Sequence, residues 1–472
     1  DFDLDALARD MLGRRTDRLR PDDSLVLQKA VAAVPHEGGK RFGRDSLEYA
    51  LLRRWIAEGL RPDPPGAPRL RRIEVTPRER VLVEPAQSVP LRVRAVFSDG
   101  HSRDVTRLAV FEPSNLGARI ADGVAWKQST GETSILVRYL DRQATVQLAF
   151  VPARPGFAWH DVPEANYIDH HAFAKLRTLR MLPSGLCSDS IFLRRAYLDA
   201  LGILPTADQT RRFLADKSVD KRARLIDALL GRPEFADFWA LKWSDLLRNE
   251  EKVLDARGVR RFHGWIRQAI AEGKPLNEFA RELVAGRGST YRYPAANYYR
   301  ALRDPQVRAE ATAQVFLGVR LQCAKCHNHP FDRWTQTDYH SLAAFFARVQ
   351  YRIVENKRRD RLDKHEFDGE QVVYMARAGE ITHPQTHEVL RPHFLGSPTP
   401  AFRSEGDRLR ALADWIARDD NPFFARAQVN RVWYHLLGRG IVDPVDDFRD
   451  SNPPANAPLL EALSKDFAAH RF

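Results

Sequence analysis

Cysteine is scarce in this chain, with three in 472 residues, at Cys187, Cys323 and Cys326. So few thiols exclude a disulfide framework, and with it any direct sign of an oxidising compartment. Long apolar runs are missing as well: no stretch reaches the ~18 residues that a membrane-crossing helix needs, so no membrane span is expected. No signal peptide opens the chain at Asp1-Phe2-Asp3, and His470-Arg471-Phe472 falls inside a helical pattern, so both termini read as points within a longer protein. A nucleic-acid-binding motif is also absent. The formal net charge of +12 favours acidic partners, but the arginines are dispersed and interleaved with acids, as in Asp220-Lys221-Arg222-Ala223-Arg224-Leu225-Ile226-Asp227. Solvated helix faces account for this better than a nucleic-acid surface, while an anionic polysaccharide or the cell envelope stays open as a partner. The densest basic run, Asn356-Lys357-Arg358-Arg359-Asp360-Arg361, is short and mixed in sign. What is present is 43% apolar residues, enough over this length to bury several cores.

Two of the three cysteines stand in Cys323-Ala324-Lys325-Cys326-His327. A Cys-x-x-Cys-His run can hold haem covalently: the two thiols add to the vinyl groups and the adjacent imidazole ligates the iron. Given three Cys and 15 His, chance would produce the pentapeptide on the order of once in a thousand such chains. Haem c on Cys323, Cys326 and His327 is the expected cofactor. Steps of four from Val307 through Ala311, Val315 and Val319 to Cys323 predict one helix over 305–326, with both thiols on its apolar face and directed into a core or pocket. Three other readings stay open: a redox pair, a zinc or iron site recruiting His327 and His329, and thiols that merely pack. His327-Asn328-His329 does not make an HNH nuclease, whose residues spread over a longer ββα unit. With haem bound, the position opposite His327 decides the chemistry. A sixth ligand such as Met375 or His383 favours electron transfer, and an open position favours small-molecule chemistry. His329 is too near His327 in sequence to reach the other side of the ring.

The stretch from Gln322 through His329-Pro330-Phe331-Asp332-Arg333-Trp334, then Thr335-Gln336 and Tyr339 through Ala343-Ala344-Phe345-Phe346, resembles a cytochrome-c-associated family of unknown function abundant in planctomycetes. Phe192-Leu193-Arg194-Arg195-Ala196-Tyr197-Leu198-Asp199, with Gly202 and Leu204-Pro205-Thr206, is similar to the start of the same domain. Asn430-Arg431-Val432-Trp433-Tyr434-His435, Gly438-Arg439-Gly440 and Asp446-Asp447-Phe448 resemble the opening of its usual partner domain, although Leu436 stands where the family often has a second His. The resemblance covers most of 160–472. It implies a secreted multidomain protein, often preceded by a cytochrome c domain, and no established activity.

Proline clusters divide the chain. Arg61-Pro62-Asp63-Pro64-Pro65-Gly66-Ala67-Pro68 reads as a stiff linker, and Pro152 to Gly156 marks a second boundary. Before the first, Asp45 to Glu58 predicts an amphipathic helix with Leu47, Leu51, Leu52, Trp55 and Ile56 on one face and Gly59 as its stop. With Pro35 to Phe42, residues 1–62 resemble the C-terminal part of a cytochrome c domain without its Cys-x-x-Cys-His. His36 is there either a stranded distal ligand or a loop histidine bonded to backbone. Residues 69–152 alternate in short strands, at Val89–Phe97, Val105–Phe111, Ile135–Tyr139 and Ala144–Val151, with turns at Ser98-Asp99-Gly100, Asp122-Gly123 and Asp141-Arg142. Ser98-Asp99-Gly100 with Asp104-Val105-Thr106 resembles a bacterial Ig-like domain of group 2, a spacer or adhesion unit. Residues 160–350 read as helical, with stops at Gly202, Gly231-Arg232-Pro233 and Gly286, and with Trp239 and Trp243 on one helix face. Residues 351–400 form a connector in which Gln371 to Phe394 predicts a hairpin carrying His383, His387 and His393, one of which is a candidate metal ligand. Residues 401–472 begin the partner domain, with Asn430, Arg431, Trp433 and His435 on a helix and Asp443, Asp446 and Asp447 in the next loop, serving either the fold or a pocket.

The expectation is a multidomain, mainly α protein with an inserted Ig-like β-sandwich and a short β-hairpin region. Its expected role is redox or electron transfer as a periplasmic or surface c-type haem protein, working with a redox partner protein. Haem attachment happens outside the bacterial cytoplasm, so a signal sequence is expected upstream. The alternatives are a metal-dependent hydrolase of anionic or sulfated polysaccharide, using Cys323, Cys326, His327 and His329 with carboxylates such as Asp332, and a surface scaffold with a structural cysteine motif. No catalytic residue is assigned.

Overall fold

A computed structural model describes residues 2–9, 13–160, 162–358, 367–397 and 406–472; the Arg359-Asp360-Arg361 end of the basic run lies outside them. The chain is multidomain, with mixed α and β content, and divides into two compact units, Asp1–Pro152 and Ala153–Phe472. No helix among the described residues is long and apolar enough to cross a membrane.

In the first unit, helices α1 (Phe2–Ala8), α2 (Leu25–Ala30) and α3 (Leu47–Ala57) close over Leu27, Tyr49, Ile56 and Leu60. Ser46 caps α3 by accepting from the Tyr49 amide, which meets one of the donors a helix start leaves open. Leu52, Trp55 and Ile56 face this core as expected, but Leu51 does not. Tyr49 and Ile56 lie inward, seven residues or two turns apart, and Leu51 lies on the opposite side, 45% exposed. His36 bonds through Nδ1 to the Val34 carbonyl at 3.3 Å, the loop arrangement of the two foreseen.

Ten strands follow: β1 (Leu70–Thr76), β2 (Glu79–Val83), β3 (Ser88–Pro90), β4 (Arg92–Phe97), β5 (Ser102–Asp104), β6 (Val110–Pro113), β7 (Ala118–Ala121), β8 (Val124–Lys127), β9 (Gly131–Tyr139) and β10 (Arg142–Val151). They pair as β1-β4-β5, β2-β10-β9-β6 and β3-β8-β7, with β2 and β10 parallel. Alternation buries Val93 and Ala95 while Arg92 and Arg94 point outward, and the same period places Ile135, Val137, Val146 and Leu148 in one core. Two strand expectations need correction. Val89–Phe97 is not continuous: the chain changes sheet at Leu91, after Pro90, which has no amide to extend a ladder. At Val105–Phe111 a 3-10 turn, Thr106–Leu108, comes before the strand, because Asp104 Oδ1 takes the Thr106 amide and Thr106 Oγ1 takes the Val93 amide.

In the second unit, α4 (Tyr167–Thr178), α5 (Asp189–Leu201), α6 (Ala207–Ala215), α7 (Lys221–Leu230), α8 (Pro233–Leu246), α9 (Glu251–Ala271) and α10 (Leu276–Val284) precede the motif. Gly202, in the left-handed region at φ 69°, ends α5, and Pro233 opens α8. Trp243 packs inward against Phe279, and Trp239 meets His435 edge-on. Strand β11 (Gly288–Ser289), α11 (Asn297–Ala301), α12 (Pro305–Thr312), α13 (Gln336–Ala343), β12 (Val349–Ile353) and β13 (Gln371–Met375) come next. After them come β14 (Ile381–Thr382), β15 (Val389–Leu390), α14 (Arg408–Ile416), α15 (Phe424–Leu437) and α16 (Ala457–Ala469). The expected hairpin over 371–394 shrinks to β14 and β15. Strand β13 instead pairs with β12 and β11 across the sequence, where Val349 and Val373 join the main core.

Candidate functional site

The predicted helix over 305–326 stops short of the motif. Asp304 caps α12 by accepting from the Gln306 and Val307 amides, and Pro305 occupies the first helical position. The helix then widens into a π turn over Ala313–Leu317 and ends at Gly318, at φ 69°. A side chain at Gly318 would come within 2.7 Å of Phe448 and 3.1 Å of Ala427, so the chain breaks where two segments approach too closely for a β-carbon. A separate 3-10 turn, Gln322–Lys325, carries the first cysteine. Cys323 and Cys326 are therefore exposed free thiols at the surface, not members of an apolar helix face. Steps of four across Gly318 have no structural meaning once the helix has ended.

His327 is also exposed, and its Nδ1 lies 2.8 Å from the Asn328 carbonyl oxygen. A carbonyl only accepts, so Nδ1 carries the proton and Nε2 is left as the electron-pair donor. Beneath the turn, Gln336 and His340 lie one turn apart on α13, both 6% exposed. Gln336 Nε2 and His340 Nε2 each donate to the Lys325 carbonyl at 3.3 Å, and the Gln336 amide donates to Asn328 Oδ1 at 3.1 Å. A capping box between Thr335 and Asp338 fixes the start of this helix.

Helix α15 and the loop after it brace the same region. Gln428 Nε2 donates to the carbonyls of Val315 and Phe316, and Arg431 to those of Gln314 and Val315, which satisfies acceptors freed by the π turn. Asn430, fully buried, donates from Nδ2 to the carbonyls of Val442 and Val445 and accepts from the Val442 amide on Oδ1. Asp446 accepts from Gln314 and Arg320, the Phe448 amide donates to Gly318, and Ser451 Oγ donates to the Phe331 carbonyl. Arg431 and Asp446 thus hold the N-terminal end of the motif loop, Asn430 holds the loop that carries Asp446, and Ser451 holds the far end at Phe331.

The remaining candidates are scattered around it. His329 is half-buried, its Nδ1 accepting from the Phe331 amide, and burial with the Arg449 charge holds its pKa below the ordinary imidazole value. Asp332 is buried, which pushes its carboxyl up to about 6; the Arg333 amide bond pulls it back and the Asp450 charge adds to the rise. Met375 packs on the main hydrophobic core at the end of β13. His383 accepts the Gln385 and Thr386 amides on Nδ1 within its hairpin, and its ring lies 6.4 Å from that of His340. The His387 amide bonds to the His383 carbonyl and the His393 amide to that of Ser341, so these two contribute backbone contacts here. Among the described residues, no three His, Cys, Asp or Glu side chains are placed to share an ion.

Asn328, Gln336 and His340 escaped the sequence reading. The capping box and the spacing of four between Gln336 and His340 were the available signals, but neither says what the side chains reach.

Residues 167–351 match the family model of PSCyt2, a protein of unknown function (DUF1549), and residues 408–472 match that of PSD1, a protein of unknown function (DUF1553). No curated protein matches the chain. The segment bearing the Cys-x-x-Cys-His turn and the segment bracing it thus match two families of unknown function, typical of planctomycetes and associated with cytochrome c.

Proposed function

We propose that this is a secreted envelope protein of the c-type haem class, working in electron transfer, with haem attached at Cys323 and Cys326 and His327 as proximal ligand. The observation that carries it is the motif's presentation: two free, exposed thiols and an imidazole whose Nδ1 is engaged by a carbonyl while Nε2 remains a donor. Such a donor set suits thioether attachment and axial ligation. When bound, the group supplies one-electron exchange; the chain supplies attachment, a fixed tautomer and the braced loop. In the same reading, residues 1–62 are the C-terminal part of a cytochrome c domain and 69–152 an Ig-like spacer.

The test is expression in the periplasm together with haem-maturation genes. The expected result is a Soret band that stays with the polypeptide through acid–acetone extraction and is lost on changing Cys323 and Cys326 to Ser. Stoichiometric zinc or iron without porphyrin would instead point to the metal-dependent hydrolase. Neither signal would leave the scaffold.

A further inference from the structure

We propose that Asn328, Gln336 and His340 are positioning residues for His327: helix α13 clamps both flanks of the Cys326-His327 pair and so sets which imidazole nitrogen is offered outward. On the N-terminal flank, two buried side chains direct their Nε2 donors to one carbonyl, that of Lys325, one of the two residues between the cysteines. Burying an amide and an imidazole costs free energy unless they are bonded, so this convergence is a built feature. On the C-terminal flank, the first amide of α13, one of the donors a helix cannot satisfy internally, takes Asn328 Oδ1. The carbonyl of that same Asn328 receives the His327 Nδ1 proton. A continuous path therefore runs from a capped helix through Asn328 to the imidazole, and the reach of Gln336 to both flanks ties them into one unit. With the proton held on Nδ1, Nε2 is the nitrogen left free to serve as an axial ligand. The functional meaning rests on the haem reading above; the geometry of His327 does not.

The experiment follows the His327 ring nitrogens by long-range 1H–15N NMR in the full chain without haem, so that it judges the clamp whatever the haem test gives. Wild type should show a single Nδ1-protonated tautomer. Asn328→Ala should give a mixture, while Asn328→Asp, which still accepts from the Gln336 amide, should restore the single form. Gln336→Glu keeps the side-chain length but loses the donor to Lys325, and provides the readout if Asn328→Ala does not fold. In haem-loaded protein, Asn328→Ala should raise the midpoint potential, because an imidazole that has lost its Nδ1 hydrogen bond gives less electron density to the iron and favours the reduced state. An unchanged tautomer in folded Asn328→Ala or Gln336→Glu overturns the clamp. Absence of haem from wild type counts only against the haem reading.

Discussion

Strands β9 and β10 and the loop over residues 318–335 are held by different kinds of bond. The strands pair from Tyr139 and Arg142 to Gly131 and Phe150 through an uninterrupted antiparallel ladder, and every second side chain enters one apolar core. Neighbours along the chain fix neighbours across it, so a local period suffices. The loop has almost no ladder. Its carbonyls and side chains are caught by Gln336, His340, Phe448 and Ser451, and the π turn before it by Gln428 and Arg431. Apolar burial makes the first region stable, whereas the second, though it also buries Val319, Leu321, Ala324 and Trp334, takes its shape from polar bonds made by other segments.

That contrast can be broken in descending order of effect by two substitutions that act at any pH, and then by one whose effect depends on pH. Ile135→Ala, at a fully buried strand position, should cost about 3 kcal/mol in denaturant unfolding of the strand-bearing unit; a loss under ~1 kcal/mol would mean that its core does not carry the stability. Gly318→Ala combines a left-handed φ with a clash against Phe448, and should cost about 2 kcal/mol. Because Phe448 donates to Gly318, its amide should also exchange faster in hydrogen-exchange NMR; unchanged protection would show that this approach does not hold the loop. The effect confined to one side of the pH range concerns Asp332. Its folded pKa of about 6 lies above the unfolded carboxyl value of about 4, so the folded state holds the proton more tightly. The stability from this group is complete below about pH 4 and lost as pH rises through about 6. Asp332→Asn should therefore be more stable than wild type at pH 8, by up to about 3 kcal/mol, and the gap should close at pH 4. Equal stability at both pH values would remove Asp332 as a buried acid.

The cysteine pentad, the strand periods around Ile135–Tyr139 and Ala144–Val151, and the stop at Gly202 were all legible because each depends on residues close together in the chain. The failures share the opposite property. Helical spacing continues from Val307 to Cys323 on paper, but it cannot register that Phe448, far downstream, packs so close to position 318 that a β-carbon there would clash. Alternation over Gln371–Met375 was real, yet its partners were β12 and β11 rather than the following strand. On α3, the composition was read correctly as amphipathic and Leu51 was assigned to the wrong side, since packing against Leu27 and Leu60 selects the Tyr49–Ile56 face.

From letters alone came the chemistry on offer: two thiols and an imidazole in Cys-x-x-Cys-His spacing, on a chain with three cysteines and no apolar run of ~18 residues. Folding alone turned those thiols to the surface, gave the imidazole its tautomer and placed a capped helix beneath it. The reason is physical: reactivity is a property of side chains in sequence, while orientation depends on hydrogen bonds whose donors and acceptors lie tens of residues or more apart.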